Sequence, residues 1–137
     1  MKDALITVKG FQYANGEQDT IELKTLGKFG IKNDKFYIKY TETAENGENC
    51  ETLIKVDEKE TVLKRSGSTD SRMVIEVGKR NSCAYSSAGC AIILDIYGNQ
   101  IDNQLNEHGG ALNLEYDLNM NYAPISHNRI EITVKEV

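Results

Sequence analysis

The chain has 137 residues, 39% of them hydrophobic and 27% charged. This is the length of one domain with its own core, and the composition excludes a disordered protein. The net charge of −5 disfavours nucleic acid and anionic membranes as partners, because both reward a basic surface. No stretch approaches the roughly 18 apolar residues of a membrane-spanning helix. We therefore expect one globular domain over residues 1–137 that binds neither nucleic acid nor membrane.

The start of the chain and its cysteines indicate a reducing compartment. Met1–Asp3 leads directly into Ala4–Val8, without an apolar stretch of signal-peptide length or a small-residue cleavage site. The expected location is therefore cytoplasmic, and Cys50, Cys83 and Cys90 are expected to be free thiols. Cys83 and Cys90 flank a predicted turn, so a disulfide across that hairpin is the alternative.

Alternating apolar and polar residues recur along the whole chain. One buried and one solvated face per strand is typical of antiparallel sheet. The apolar side chains expected to face a common interior are, in chain order, Ile21, Leu23, Phe36, Ile38, Ile54, Met73, Ile75, Ile92, Leu94, Leu112, Leu114, Ile130 and Ile132.

Turn signals separate these strands at short intervals. They are Asn15–Gly16, Lys32–Asp34, Asn46–Gly47, Glu58–Lys59, Gly67–Ser68, Gly78–Lys79, Ala88–Gly89, Gly98–Asn99, Gly109–Gly110 and Asn119–Met120. Several supply the positive φ that tight hairpins require. About ten short strands predict a sandwich or a barrel, and closure into a barrel removes exposed strand edges. Helical spacing is not sustained anywhere, so at most one helical turn is expected, at Asn103–His108 or Asn121–Ser126.

Charged residues fall into two blocks of opposite sign. They are Lys24, Lys28, Lys32, Lys35 and Lys39, followed by Glu42, Glu45, Glu48 and Glu51. On neighbouring strands such blocks predict a solvated face with weak cross-strand ion pairs. A docking patch for a charged protein partner is the alternative.

Several segments taken together resemble one family. They are Thr61–Gly67, Ser71–Lys79, Tyr85 with Gly89, Gly109–Leu118 and Ile130–Val134. The resemblance is to the YwiB-like family, uncharacterised small proteins of Gram-positive bacteria, and it covers essentially the whole chain. It implies an all-β fold, an antiparallel up-and-down lipocalin-like (calycin) barrel of about eight to ten strands, in the cytoplasm and without an established activity. Arg65, Gly67, Gly89 and Tyr116 match the family pattern, but the family supplies no functional residues to transfer.

Arg65 is the most informative candidate for a site. On the strand Thr61–Ser66, an inward Leu63 brings Arg65 inside, whereas an inward Val62 brings Lys64 inside. Either arrangement places a cation on the apolar face, where it needs a partner. Arg65 either stabilises the structure, near the barrel mouth or paired with an inward acid, or holds the carboxylate or phosphate of a ligand, which the guanidinium fork suits.

Tyrosines on the predicted strands are the second group of candidates. They can line a cavity with hydroxyl groups, or they can fill the core with the phenol reaching the surface. Tyr85 and Tyr116, together with Arg65, form the candidate ligand-binding set.

No complete catalytic motif is present. His108–Gly110 is similar to an esterase oxyanion loop, but the chain has no Gly-x-Ser-x-Gly elbow. Asp117–Asn121 begins like a calcium loop, yet Tyr122 and Asn128 stand where glycine and glutamate are needed. Phosphate-loop and dinucleotide fingerprints are absent, and neither histidine has a close ligand spacing to a cysteine. We expect a protein that is not an enzyme and has no metal and no cofactor.

Two functions remain open. The first is binding of a small apolar or amphipathic molecule inside the barrel. The second is a non-catalytic interaction module with a filled core, whose surface docks a protein partner. For either function we expect a monomer or a homodimer. A cavity of a few hundred cubic ångströms with Arg65 at its rim would favour binding. An enzyme would need a cleft that gathers His108 or His127 with an acid or a cysteine.

Overall fold

The computed structural model describes residues 1–44, 46–87 and 89–137. The ten strands are β1 (Lys2–Ala14), β2 (Glu17–Lys32), β3 (Lys35–Thr43), β4 (Asn49–Val56), β5 (Glu60–Gly67), β6 (Thr69–Glu76), β7 (Arg80–Ser87), β8 (Cys90–Asn106), β9 (Gly109–Met120) and β10 (Ala123–Glu136). Over these ranges no helix is long and apolar enough to cross a membrane.

The strands form a closed antiparallel up-and-down barrel. Each strand pairs with the next one in the chain, and β10 closes on β1 from Ala4↔Glu136 to Tyr13↔His127. Short hairpins suffice for this order, because an antiparallel connection can be only two residues long. The predicted all-β, antiparallel barrel is confirmed.

Two tight hairpins explain the asparagines at predicted turns. Asn15 and Gly16 have φ values of 52° and 75°, and Asn33 and Asp34 have φ values of 53° and 64°. Positive φ at both central residues is the geometry of the type I′ turn, whose twist matches that of the flanking strands. These two turns were predicted correctly.

The turn predicted at Gly98–Asn99 is wrong. These residues lie inside β8, where the pairing with β9 shifts register between Gly98 and Gln100. A glycine within a strand often marks such a bulge or a close backbone approach. Both apply here, because a Cβ on Gly98 would lie 2.2 Å from the carbonyl oxygen of Glu76.

The turns near the ends of β9 are displaced from their predicted positions. Gly109–Gly110 begins β9, and the turn lies at residues 107–108; Asn119–Met120 ends β9, and the turn lies at residues 121–122. The helical turn that the sequence allowed forms at neither candidate place, since residues 103–106 belong to β8 and residues 123–126 to β10. Pairing with neighbouring strands holds these polar segments extended.

The charge blocks form separate surface ion pairs. Lys39 Nζ lies 2.7 Å from Glu51 Oε1 across β3 and β4, and Lys28 pairs with Asp3 of β1. Glu45 of the acidic block and Ala88 of the predicted turn Ala88–Gly89 lie outside the described residues.

The barrel is filled at one end, here called the closed end, which carries the turns at residues 33–34, 57–59, 77–79 and 107–108. Many inward side chains there are at most 1% exposed, among them Ile6, Ile38, Ile54, Ile75, Leu112 and Ile132. Leu23, Phe36, Met73 and Ile130 pack against this core. The opposite end, with the turns at residues 15–16, 67–68 and 121–122, is called the open end.

Two residues of the predicted interior are exposed instead. Ile21 and Ile92 pair with the inward Gly10 and Tyr85, so they stand on the inner face. They are nevertheless 67% and 38% exposed, because they lie beyond the core at the open end. Strand periodicity predicts the face of a residue but not its height along the barrel.

The barrel wall is splayed at two seams. β2 and β3 pair only from Lys28↔Lys39 to Lys32↔Lys35, at the closed end. β6 and β7 pair only from Thr69↔Ser87 to Ser71↔Tyr85, at the open end. Toward the closed end from that seam, Asn81 Nδ2 of β7 donates to the backbone oxygen of Val74 of β6 at 3.3 Å. A side-chain hydrogen bond thus joins the two strands where their backbone pairing has ended.

Candidate functional site

Arg65 lies on the inner face of the barrel. Its strand neighbour two residues away, Leu63, is 5% exposed and belongs to the core, whereas Lys64 is exposed on the outer face opposite Arg72. Of the two arrangements that the sequence allowed for β5, the one with Leu63 and Arg65 inside is therefore correct.

Three hollows meet at Arg65 and Tyr85 in the open half of the barrel. One of about 790 Å³ also borders Lys64, Asp70 and Arg72 of the outer wall, and the other two are adjoining cavities of the barrel interior. The inner cavity has a volume of about 150 Å³ and the outer cavity, nearer the mouth, about 380 Å³. The lining residues that the two cavities share are Arg65, Tyr85, Leu94, Tyr116, Leu118 and Ile130. Because they share so many walls, we treat them as one hollow with a narrow bottom and a wide mouth.

The three residues singled out in the sequence all line this hollow. Arg65 and Tyr85 stand on either side of Ser71, because both are its direct partners across the sheet. Tyr116 belongs to β9 and pairs with Asn128, so it approaches from the other wall. The strand register thus brings together side chains that are far apart in the sequence.

Arg65 forms no ion pair with a carboxylate of the described residues. No carboxylate oxygen in that part of the chain lies within 4.0 Å of its guanidinium. Arg129, the other arginine beside the outer cavity, lies on the outer face opposite Phe11. Its guanidinium is 4.4 Å above the ring of Phe11 and 3.6 Å from Glu131 Oε1, although its Nε has no hydrogen-bond partner among the described residues. Of these two arginines, Arg65 is the one that faces the interior without an ion pair.

The phenol of Tyr116 stays protonated over the physiological range. Burial raises the pKa of Tyr116 to about 12, against a smaller lowering by the Arg65 charge. Burial also raises the pKa of Tyr40, again opposed by the Arg65 charge. Neutral phenols beside a guanidinium present donors and acceptors without competing for its charge.

One buried hydroxyl lies beside Arg65. Thr52, the direct partner of Arg65 on β4, is 0% exposed, and the Tyr40 phenol is the polar side chain next to its hydroxyl. Thr52, Arg65, Ser71 and Tyr85 thus form one row of polar side chains across the inner face of the sheet.

Sequence reasoning missed several lining residues, among them the interior polar or thiol side chains of Ser71, Cys83 and Asn128. Ser71 lies at inward spacing from Met73, one step nearer the turn at residues 67–68. Asn128 likewise precedes the alternating Ile130 and Ile132, and its Nδ2 donates to Ser126 Oγ at 3.0 Å. Extending each apolar alternation by one step toward the turn would have identified both residues.

The cysteines are free thiols at separate positions. Cys83 pairs with Leu94 and Cys90 pairs with Ser87, so the two do not lie opposite each other. The alternative of a disulfide in this hairpin is therefore wrong. Cys83 lines the inner cavity, and burial raises the pKa of its thiol.

One imidazole–carboxylate pair lies on the outer surface. His127 Nδ1 is 2.6 Å from Asp117 Oδ1, and its Nε2 is 3.8 Å from Glu115 Oε2. His127 and Asp117 are direct cross-strand partners. Ser126, the adjacent hydroxyl, faces the interior and accepts the hydrogen bond from Asn128. The pair therefore has the form of a surface cross-strand contact rather than of a nucleophile with its base.

Metal-binding residues do not cluster in the structure. Over residues 1–44, 46–87 and 89–137, no group of three or more His, Cys, Asp or Glu side chains could hold an ion. His108 contacts Glu107 and Glu136 at 3.4 and 3.5 Å on the exposed surface.

The closed antiparallel barrel of ten strands, filled at one end and hollow at the other, defines an up-and-down β-barrel protein. Residues 6–132 match the family described as "Domain of unknown function (DUF1934)", and the chain belongs to this family. It is 27% identical over 113 residues to the uncharacterized beta-barrel protein YwiB of Bacillus subtilis (strain 168), over 82% of this chain and 79% of the relative. The crystal structure of that organism's ywiB protein matches the fold with a TM-score of 0.89 at 24% identity, covering 99% of this chain and 92% of the other. The YwiB-like resemblance is confirmed, and at this identity the structural match supports the fold.

Proposed function

We propose that this protein binds a small amphipathic molecule in the open half of the barrel, with its anionic group on Arg65 and its apolar part in the inner cavity. The observation that carries the proposal is a cation facing a hollow interior with no carboxylate partner among the described residues.

The walls suit the apolar part of such a molecule. Leu94, Leu118 and Ile130 line both cavities, and Met73 and Leu63 line the bottom. Small-molecule sites are lined mainly by apolar side chains with a few polar groups that fix orientation, and they span a few hundred cubic ångströms. The hollow has this composition and this scale.

The polar end is suited to an anion. A guanidinium away from bulk water needs a hydrogen-bonding counter-charge, and its planar fork matches carboxylate or phosphate. Ser71, Tyr85 and Tyr116 add hydroxyl groups around it. An anionic ligand group would supply the partner that the described residues do not.

A second candidate is an interaction module that docks a protein partner and holds no ligand. It is favoured by the closed half, where side chains such as Ile54 and Leu112 are 0% exposed and leave no hollow. In either case we propose a non-catalytic role without a cofactor. We also propose a cytoplasmic location, which the three free cysteines support, because reducing compartments keep thiols unpaired.

Calorimetric titration with decanoate, decyl phosphate and decanol tests the proposal. Wild-type protein is expected to bind both anions more tightly than the alcohol. Arg65→Met should weaken both anions by about ten- to a hundredfold, because a charge-assisted hydrogen bond contributes about 1.5–3 kcal/mol. Binding of decanol should change little, since its tail contacts remain.

Arg80→Met is the matched control, because Arg80 is exposed on β7 and does not line the hollow; its affinities should equal those of the wild type. Native mass spectrometry of the purified protein adds a second readout, in which a retained ligand appears as excess mass that is lost on denaturation. If none of the three probes binds and no excess mass is found, ligand binding is rejected and the interaction module is favoured.

A further inference from the structure

β2 carries a long strand edge that the barrel does not pair. Its pairing with β1 runs from Glu17 to Phe29, but its pairing with β3 is confined to Lys28–Lys32. Within the described residues, the segment 17–27, here called the free edge, is therefore paired on one side only. Natural sheets avoid long unpaired edges, because such edges template pairing with another strand.

The two hairpins that flank β2 show which backbone groups face outward. The first closes on Ala14↔Glu17, the second on Lys32↔Lys35, and a closing pair of a two-residue turn exchanges both of its hydrogen bonds. Because these bonds alternate along a strand, odd-numbered residues of β2 bond to β1 and even-numbered residues point away from it. The outward-pointing N–H and C=O groups are those of Gln18, Thr20, Glu22, Lys24 and Leu26.

Apolar side chains accompany these unpaired groups. Ile21 and Leu26 are each 67% exposed. An exposed isoleucine on an unpaired strand edge is the feature that natural edges usually suppress with charge or proline. Another strand would satisfy the backbone and cover the side chain together.

We propose that the free edge pairs antiparallel with the same edge of a second copy of this chain, with Ile21 on the two-fold axis. Two constraints set this register. Residues that point outward must face each other, so even-numbered residues pair with even-numbered ones. The hairpin tip of the second copy must also end before Lys28, where β3 occupies the edge.

The longest register that satisfies both constraints places Ile21 opposite Ile21 of the second copy. Thr20 then faces Glu22, and Gln18 faces Lys24, so no like charges stand directly opposite each other. If the two-fold axis were moved one residue onward, Glu22 would face Glu22 of the second copy, and like charges directly opposite are destabilising. The hairpin tip of the second copy would also contact β3. The edge is thus self-complementary in one register, which favours a second copy over an unrelated strand.

Cysteine cross-linking tests the register. In a Cys90→Ser background, which removes the exposed native thiol, Ile21→Cys should form a disulfide-linked dimer on mild oxidation. The two Cα atoms of this non-hydrogen-bonded pair would lie about 4.5 Å apart, within the range that a disulfide spans. Asp19→Cys is the control: it is exposed on the same face, but its two copies would be roughly 14 Å apart.

Sedimentation velocity tests the dimer without cross-linking. Glu22→Pro removes an N–H that points to the free edge, a site where proline is tolerated, and it should abolish the wild-type dimer while the circular dichroism spectrum is retained. Thr20→Lys should tighten the dimer by about two- to fivefold through contact with Glu22 of the second copy, and Thr20→Glu should weaken it similarly. A wild-type protein that stays monomeric at every concentration overturns the proposal. So does a dimer that cross-links equally through positions 19 and 21, or that is insensitive to the charge at position 20.

Discussion

Burial of the Tyr116 phenol makes the stability of the folded protein depend on pH. The side chain is 7% exposed, and burial holds the pKa of Tyr116 at about 12. In the unfolded chain a tyrosine titrates near 10. The folded protein therefore keeps this proton to a higher pH than the unfolded protein does.

Stability should consequently fall between about pH 10 and pH 12. A raised folded-state pKa means that the contribution is complete below pH 10 and is lost as pH rises toward 12, by roughly 2–3 kcal/mol. Urea unfolding of the wild type and of Tyr116→Phe at several pH values measures this loss of unfolding free energy. The variant should not show the part of the decline that Tyr116 causes, whereas the lysines and Tyr40 contribute equally to both proteins. If the free energies of unfolding of the two proteins fall in parallel with pH, the assignment to Tyr116 is wrong.

At the scale of one element, β8 is shaped by a glycine at its bulge. Gly98 N–H donates to the oxygen of Lys79 at 3.2 Å, and its own oxygen accepts from Gly78 at 2.9 Å. These bonds hold the β6–β7 connection against β8, and they leave no room for a Cβ beside Glu76. The glycine is required here for close backbone approach rather than for a turn.

Gly98→Ala should therefore destabilise the protein by about 1–3 kcal/mol or more, the usual range for overpacking. Gly10→Ala is the matched control. A Cβ there would meet only the Ile21 side chain at 3.0 Å, which is exposed and can move, so the cost should stay below about 1 kcal/mol. Thermal unfolding of both variants measures the difference, and equal costs would exclude the proposed role of the bulge.

At the scale of the whole molecule, one barrel combines a filled half and a hollow half. β9 crosses both: Leu112 is 0% exposed in the core, whereas Leu118 lines both cavities. Interiors packed like crystals lose contacts when a side chain is truncated, whereas a wall that already borders a void has fewer contacts to lose. The two halves should therefore respond differently to the same substitution.

Leu112→Ala should cost about 2–5 kcal/mol of unfolding free energy, as expected for a buried leucine. Leu118→Ala should cost about half as much or less, because it enlarges an existing hollow that opens toward the mouth. Equilibrium unfolding in urea, with equal slopes for the two variants, gives the comparison. Equal losses would indicate that the open half closes up in solution.

Much of the architecture is determined by the sequence alone, because strand periodicity and turn chemistry are local. Alternation between neighbours predicts the inner face of each strand, and the asparagine and glycine turns at residues 15–16 and 33–34 predict where two hairpins reverse. The candidate set of Arg65, Tyr85 and Tyr116 also follows from the local pattern, because a cation and two tyrosines on predicted strands can face the interior.

Only the tertiary structure decided which of these features meet and which remain exposed. Pairing of β5 with β4 and β6 determined that Arg65 rather than Lys64 turns inward, and the closure of ten strands placed it beside Tyr116 of a distant strand. The early separation of β2 from β3 left Ile21 exposed, although its alternation is that of a core residue. Gly98–Asn99 has the residue types of a turn but lies within a strand, because the backbone of Glu76 packs against Gly98. These outcomes depend on how each strand pairs with its neighbours and where that pairing stops, which the alternation within a single strand does not specify.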